Sequence, residues 1–149
     1  MSEYKGVKFT VIGAPVAKGR PKFARRGTFT VAYTPKKTVN YENLVKLAFM
    51  QRVGTEFIPF DQALCVRVRA YFARPKGHFG TGKNEGALKV SAPKHMMVKP
   101  DTDNVIKAVI DALNGMAFLD DKQIVLVHGS KAYSERPRCE IEIDAVNCE

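Results

Sequence analysis

The sequence has few cysteines, and they are not arranged to build a covalent or metal-bound framework. Its 149 residues contain three cysteines, Cys65, Cys139 and Cys148, with no CxxC pair, and its three histidines have no HxxxH-type spacing. A structural zinc site needs about four well-spaced ligands. We therefore expect reduced cysteines that pack as small hydrophobic residues, with Cys148 exposed.

Long apolar runs are also missing. No apolar stretch approaches the roughly 18–20 residues of a transmembrane helix, which excludes a spanning helix, and we expect no membrane partner. The first residues, Met-Ser-Glu-Tyr-Lys-Gly, lack the apolar segment of a secretory signal, so we expect a soluble, cytoplasmic protein. The length and the 45% hydrophobic content are typical of one globular domain over residues 1–149.

Acidic residues are scarce relative to basic ones. The chain has 15 Asp and Glu against 24 Lys and Arg, a net charge of +9, which points to a polyanionic partner such as nucleic acid. The segment 14–37 concentrates this charge, and its glycines and prolines exclude a helix. It is predicted to be a basic loop or hairpin arm, with 28–33 as a short strand; a solvated turn with incidental charge is the alternative. Its basic residues are Lys18, Arg20, Lys22, Arg25 and Arg26.

The segment 75–100 contains four glycines, three prolines and five lysines, and it shows little periodicity. A stretch this long without regular structure is uncommon in a compact domain and usually marks a functional or mobile loop. Lysines such as Lys99 would suit contact with phosphates. A disordered insertion explains the composition equally well.

The remaining periodicity predicts an α+β fold. Alternating patterns predict strands over 7–12, 63–73, 123–133 and 138–146, and i, i+3, i+4, i+7 patterns predict helices over 39–53 and 103–114. We expect one mixed β-sheet with both helices packed on it. In the first helix, Thr38 is the predicted cap, and the predicted core-facing residues are Tyr41, Leu44, Val45 and Ala48, with Leu47 beside them.

Acidic residues flank the second predicted helix. Asp101 and Asp103 precede or begin it, Lys107 lies one turn later on the same face, and Asp120-Asp121 follow its end. Mg²⁺ is held in proteins by one or two carboxylates, waters and substrate phosphates, so these residues could form a nuclease site if the chain ends converge. The alternatives are helix capping, an exposed i,i+4 ion pair and ordinary turn residues.

The same residues carry a family resemblance. The run Lys-Pro-Asp-Thr-Asp-Asn-Val-Ile-Lys-Ala-Val-Ile-Asp-Ala-Leu-Asn-Gly, followed by Phe-Leu-Asp-Asp-Lys-Gln-Ile-Val, resembles the RusA signature D-x-D-N-x-x-K…D-A-L…D-D-x-Q-[IV]. RusA proteins are Holliday-junction resolvases of bacteria and their prophages. The resemblance implies a RusA-like α+β domain that acts as a homodimer on four-way or branched DNA, with Mg²⁺ as cofactor, Mn²⁺ as a substitute, and no small-molecule cofactor.

The resemblance also assigns roles to residues. It implies that Asp101, Asp103 and Asp121 are catalytic metal-binding carboxylates, that Asp120 supports them, and that Lys107 is the catalytic lysine. Lys131 resembles a family lysine near the DNA, and we expect the basic residues of 14–37 and Lys99 to contact DNA as well. Two other functions stay open: a non-catalytic nucleic-acid-binding accessory domain, and a nuclease of the same fold acting on other branched DNA.

Overall fold

The computed structural model describes residues 5–146. Six strands and two α-helices make up its regular structure, together with three single-turn 3-10 helices. The strands are β1 (Gly6–Ile12), β2 (Lys22–Arg26), β3 (Phe29–Tyr33), β4 (Leu64–Phe72), β5 (Ile124–Tyr133) and β6 (Arg138–Ala145). The helices are α1 (Lys36–Val53) and α2 (Thr102–Leu113).

Four strands form one mixed sheet in the order β1-β6-β4-β5. The β1/β6 and β6/β4 pairs are antiparallel, and β4/β5 is parallel. A parallel pair needs a crossover connection, and α2 supplies it, so β4, α2 and β5 form a β-α-β unit. The predicted α+β fold with a mixed sheet and two helices is confirmed.

One face of the sheet carries the core. Val66 and Val68 of β4 lie opposite Ile143 and Ile141 of β6, and all four are buried against the helices. Phe49 of α1 anchors this core with its ring centroid 5.5 Å from that of Phe9 and 5.2 Å from that of Phe57. The opposite face of the sheet carries basic and acidic side chains that form ion pairs. Arg67 Nη1 lies 3.1 Å from Asp144 Oδ2, and Arg138 Nε lies 3.0 Å from Glu140 Oε2. The alternation seen in the sequence of β4 therefore separates a core face from a polar one.

Helix α1 differs from its prediction in two respects. It begins at Lys36 after Pro35, so Thr38 does not cap it. Thr38 is buried within the first turn, and its Oγ1 accepts a hydrogen bond from the Gly19 amide at 3.0 Å. The buried residues are Thr38, Tyr41, Val45 and Phe49, a narrow stripe at intervals of three or four residues. The prediction that Leu44 and Leu47 face the core is wrong, because that stripe leaves both about half exposed.

The arm between β1 and α1 is a two-stranded hairpin, β2–β3, with Lys22 paired to Tyr33 at its base and Arg26 paired to Phe29 at its tip. It forms a separate sheet, and both of its strands are exposed almost throughout. The segment 75–100 contains two 3-10 turns, and Arg74 beside it donates to the Pro93 carbonyl at 2.7 Å while lying over the Tyr133 ring.

The remaining composition-based expectations concern cysteines and membranes. Cys65 and Cys139 are free and buried, as predicted for small hydrophobic residues. The expected exposure of Cys148 concerns a position outside the described residues. Within residues 5–146, neither helix has the length and apolar character needed to cross a bilayer.

Candidate functional site

The first turn of α2 presents the predicted acidic residues to solvent. Asp101 is the residue at the N-cap, Asp103 lies in the first turn, and Lys107 follows one turn later. All three are exposed, whereas the opposite side of the helix is buried from Val105 to Leu113. The amphipathic pattern of α2 therefore fixes which residues face outward.

These three exposed side chains do not form the capping hydrogen bond or the i,i+4 ion pair that local structure would favour. The Asp101 side chain accepts no capping hydrogen bond. Within the described part of the chain, Asp103 and Lys107 form no ion pair with each other, since the closest carboxylate to cation contacts all involve other residues. The capping of α2 by Asp101 and the i,i+4 ion pair are therefore not realised in this geometry, and none of the three side chains forms an ion pair within residues 5–146.

Lys18 joins the basic arm to both helices. Its Nζ lies 2.7 Å from Glu42 of α1 and 3.2 Å from Asp111 of α2, and its backbone amide donates to the Asn104 carbonyl at 2.9 Å. Burial alone would lower the pKa of Lys18, but the hydrogen bonds to the two carboxylates outweigh it and raise the pKa above 10.5. Asp111 thus helps to hold the arm against α2 through this ion pair, while a DNA contact by Lys18 stays a prediction.

Lys131 lies on β5 beside the entry to α2. Its Nζ donates to the carbonyl oxygens of Val98 and of Pro100, the latter at 2.9 Å. Asp101 follows Pro100 directly, so Lys131 fixes the backbone from which the first acidic side chain projects. The predicted contact of Lys131 with DNA is not tested by these hydrogen bonds.

The second acidic pair lies in a 3-10 turn, Asp121–Gln123, immediately before β5. Asp120 accepts a hydrogen bond from the Lys122 amide at 2.9 Å, and its own amide donates to Gln123 Oε1 at 2.9 Å. The Lys122 amide is the main reason that the pKa of Asp120 is lowered, with contributions from Asp121 and the Lys122 charge. Asp120 and Asp121 are both exposed.

Gln123 is a positioning residue that the sequence reasoning did not single out. Its Nε2 donates to the carbonyls of Phe60 and Gln62 at 2.8 and 2.9 Å, which ties the acidic turn to the chain before β4. The sequence contains a pattern that predicts this role, because Asp120-x-x-Gln123 has the spacing of a capping box.

The two acidic groups do not meet within one chain. Gly129 of β5 lies against Thr102 and Ile106 of α2, so the N-terminus of α2 sits beside the end of β5, whereas Asp121 precedes its beginning. Among residues 5–146, no three His, Cys, Asp or Glu side chains are close enough to hold a metal ion. The carboxylates are suited by their oxygen chemistry to Mg²⁺, but one chain does not assemble them into a site.

The other predicted DNA-contacting residues lie on the exposed arm or on the loop before α2. They are Arg20, Lys22, Arg25, Arg26 and Lys99. The hairpin also exposes aromatic residues that sequence reasoning did not assign to DNA: the side chains of Phe23 and Phe29 are 70% and 74% exposed. The sequence pattern that indicates a nucleic-acid contact here is the interleaving of aromatic and basic residues in a short pair of strands.

Comparison with known proteins agrees with these motifs. The family described as Endodeoxyribonuclease RusA matches residues 13–144. The chain is also 36% identical over 144 residues to the uncharacterized protein YqaN of Bacillus subtilis strain 168, an alignment that covers 95% of this chain and 97% of that relative. RusA proteins are Holliday-junction resolvase nucleases that act on branched DNA, and they are generally dependent on a divalent metal. The chain belongs to the RusA endodeoxyribonuclease family.

Proposed function

We propose that this protein is a Mg²⁺-dependent endodeoxyribonuclease that resolves Holliday junctions by paired symmetric nicks during DNA recombination and repair. One observation carries the proposal: the RusA motif residues Asp101, Asp103 and Lys107 project from the start of α2 without an ion-pair partner in the described part of a protein of net charge +9. A basic protein that exposes free carboxylates where it would meet a polyanion needs a cation between the two. Mn²⁺ is the proposed substitute, and no small-molecule cofactor is proposed.

The catalytic residues we propose are Asp101, Asp103, Asp121 and Lys107, with Asp120 supporting the acidic turn. The Lys107 ammonium is positioned one turn along α2 from Asp103, so it would neutralise charge developing on a phosphate bound at the helix start. The helix N-terminus adds a favourable field for that phosphate. Because residues 5–146 of one chain do not bring these carboxylates together, we propose that they contribute to one metal site only in the homodimer.

The proposed DNA-binding surface is formed by the arm, Lys99 and Lys131. The hairpin contains Lys22, Arg25 and Arg26 but no acidic residue. Phosphate contacts of this kind release counterions, so we expect junction affinity to fall steeply with salt. The exposed rings of Phe23 and Phe29 extend this surface with groups on which unpaired bases can stack, at roughly 1–3 kcal/mol per base.

We further propose that the functional unit is a homodimer of one RusA-like domain, residues 1–149, in the cytoplasm. A four-way junction has approximate two-fold symmetry, and resolution requires two nicks at symmetry-related phosphates. A C2 dimer presents two sites in that relation.

The deciding experiment incubates a labelled four-way junction with and without Mg²⁺. We expect paired nicks only with the metal. Asp101→Asn and Asp103→Asn should each lose cleavage yet retain junction binding in a gel shift, because each removes a carboxylate and makes the surface more positive. Glu56→Gln is the matched control, since Glu56 is exposed in the turn after α1 and should leave cleavage unchanged. Wild-type cleavage by either aspartate variant would refute the assignment.

The same substrates test the other two functions. The separation of the acidic pairs within one chain is the observation that favours a non-catalytic DNA-binding domain. If the protein has that function, we expect no metal-dependent nicking of any substrate, and Asp121→Ala should leave its function unchanged. A nuclease for other branched DNA would instead cut forks or flaps faster than four-way junctions in a substrate panel.

A further inference from the structure

We infer that a cleft near Asp101 binds one unstacked nucleobase of the DNA strand that is nicked, and that Glu135 determines which base is preferred. The inference rests on the proposed function for the location of the nuclease site. It adds a base-recognition site to that function, and it assigns a role to residues 75–90, which the proposed function does not use.

The cleft has the size and the lining of a small-ligand site. Its volume is about 630 Å³, within the roughly 300–1,000 Å³ that is typical of such sites. Its apolar walls include Phe79, Leu88 and Tyr133, and its polar groups include Ser134 and Glu135. Ligand sites commonly combine apolar and aromatic walls with a few convergent polar groups. Two aromatic rings in one cleft suit a flat aromatic ligand.

The loop that supplies Phe79 is held in shape by its own backbone. Phe79 and Leu88 are paired in an antiparallel bridge, and the Gly80 amide beside them donates to the Ala87 carbonyl at 2.8 Å. A Cβ at Gly80 would lie 2.6 Å from the backbone oxygen of Asn84, so this close approach of the chain requires glycine. The first wall of the cleft is therefore formed before a ligand binds.

The second wall, Tyr133, is also held in place. The guanidinium carbon of Arg74 lies 4.7 Å from the centroid of the Tyr133 ring, and the His78 ring meets Tyr133 edge-on with the centroids 5.1 Å apart. Arg74 is itself held by its hydrogen bond to the Pro93 carbonyl at 2.7 Å. A preformed cleft has little ordering left to do when it binds a ligand, which favours affinity.

The cleft lies near the proposed nuclease residues at the start of α2. Tyr133 follows Lys131 by two residues on β5, so the two side chains project from the same face of the sheet, about 7 Å apart. Lys131 Nζ donates to the Pro100 carbonyl, immediately before Asp101. The spacing along β5 equals roughly two nucleotide steps at about 3.4 Å each. A strand whose phosphate is bound at the start of α2 can therefore place a neighbouring base in the cleft.

Charge and ring chemistry favour a base of a DNA strand as the occupant. The loop around Phe79 carries the exposed cations Lys76, Lys83 and Lys89, which suit the phosphates on either side of a bound base. Aromatic rings stack on the π-face of any base. Bases at a branch point are more easily unstacked than bases within a continuous duplex, so the cleft also favours branched DNA.

Ser134 and Glu135 supply the hydrogen-bonding groups that distinguish one base from another. Ser134 Oγ accepts from the Arg136 amide and from Arg138 Nη1, both at 3.1 Å, which leaves its hydroxyl hydrogen to donate. Glu135 forms no ion pair within residues 5–146, and an ionised carboxylate only accepts hydrogen bonds. Guanine presents two adjacent N–H donors beside its O6 acceptor, and it therefore matches this pair best.

Abasic substitution tests base binding without requiring cleavage. Four-way junctions with one abasic nucleotide, scanned across the positions next to the branch point, are titrated in the absence of divalent metal. At one position the abasic nucleotide should weaken wild-type binding about 5- to 160-fold, the contribution of one stacked base. Phe79→Leu, which keeps an apolar side chain but lacks a ring, should weaken binding of the unmodified junction similarly and abolish the abasic effect. Phe79→Tyr should behave as wild type, and Phe29→Ala on the arm should keep the abasic effect at that position.

Base preference tests the role of Glu135. Four junctions that differ only in the base at the responding position are titrated in the same way. Wild type should favour guanine about 5- to 160-fold, the range for a bidentate base contact, and Glu135→Ala should abolish that preference. Glu85→Ala is the matched control, because it removes the same charge from the neighbouring loop but lines an adjoining cleft rather than this one. It should raise affinity for all four junctions and leave the preference unchanged.

The outcomes separate this inference from the proposed function. Three results would each overturn the inference: no abasic effect at any position, an abasic effect that persists in Phe79→Leu, or a guanine preference that survives Glu135→Ala. Binding of free deoxyguanosine monophosphate that Phe79→Leu abolishes, without any abasic effect on junctions, would assign the cleft to a free nucleotide instead. If the wild type nicks no branched DNA in any divalent metal, the proposed function fails, while these affinity measurements still decide the role of the cleft.

Discussion

Replacing Gly129 with alanine tests how α2 is seated on β5. A Cβ at this position would lie 2.2 Å from Ile106 Cδ1, 2.9 Å from Ile106 Cγ1 and 3.3 Å from Thr102 Cγ2. Carbon atoms in good contact are about 3.5–4.0 Å apart. Either Ile106 must leave its rotamer or the start of α2 must move away from the sheet by about 1 Å.

The expected cost follows from these distances. Overpacking of this kind costs about 1–3 kcal/mol, and replacing a strand glycine with alanine returns about 0.5–1 kcal/mol. We therefore expect Gly129→Ala to lower the free energy of unfolding by about 0.5–2 kcal/mol. At about 2–4 °C per kcal/mol, Tm should fall by roughly 1–8 °C. Moving α2 also moves Asp103 and Lys107, so nicking should fall by about 10-fold or more, toward the ~100-fold effect of a 1 Å misplacement.

Urea denaturation and differential scanning calorimetry measure the stability, and single-turnover junction cleavage measures the effect on the site. Gly77→Ala is the matched control, because a Cβ there meets nothing within 4 Å. Ile106→Ala removes the clashing atoms, so the double variant should be more stable than the sum of the two single effects by about 1 kcal/mol. Strictly additive effects, or a Gly129→Ala variant as stable and active as wild type, would refute this description of the contact.

Two further predictions concern the hairpin and the core. Phe29→Ala should reduce affinity for a four-way junction about 5- to 160-fold while leaving duplex affinity nearly unchanged, because bases at the branch point are more easily unstacked onto a ring than bases within a continuous duplex. Val31→Ala on the same strand is the control, and equal losses on both DNAs would contradict the role. Burial raises the pKa of Cys139 from 9.0 to about 12 and also raises that of Tyr41. The unfolded thiol ionises near pH 9 and the folded one does not, so stability is complete below pH 9 and declines above it, by about 1.4 kcal/mol per pH unit for Cys139 alone. Cys139→Ala should flatten that decline in urea titrations between about pH 8 and 11, and an unchanged slope would disprove the contribution.

Hydrophobic periodicity was sufficient to predict elements such as β4 and α2. The alternation from Leu64 to Phe72 and the spacing in α2 predicted elements whose bounds agree with the structure to within a few residues. These patterns reflect burial on one face, which a sequence displays directly. Helix α1 is less amphipathic, so Leu44 and Leu47 fit a core-facing pattern as well as Tyr41 and Val45 do. Only the packing of α1 against β1 and α2 decides between those faces.

Side-chain contacts with the backbone were harder to predict. Thr38 has the chemistry of a helix cap, yet its hydroxyl binds the Gly19 amide from the arm. Lys18 belongs to the basic cluster by sequence, yet it pairs with Glu42 and Asp111. In both cases the partner is distant in the chain, and it is supplied by the way the arm crosses the helices. A local pattern contains no information about such a partner.

The separation of the two acidic groups has a topological cause. In a β-α-β unit the helix runs antiparallel to its two strands. Its N-terminus therefore lies at the carboxyl ends of the strands, and the following strand begins at the opposite end of the sheet. Asp103 at the start of α2 and Asp121 before β5 are therefore held apart by the length of that helix, about 18 Å for 12 residues. A shorter loop or a different rotamer cannot remove this distance, because it is set by the connection itself. The spacing of the motif therefore predicts two groups of acidic residues, and within residues 5–146 the topology of the unit keeps them apart.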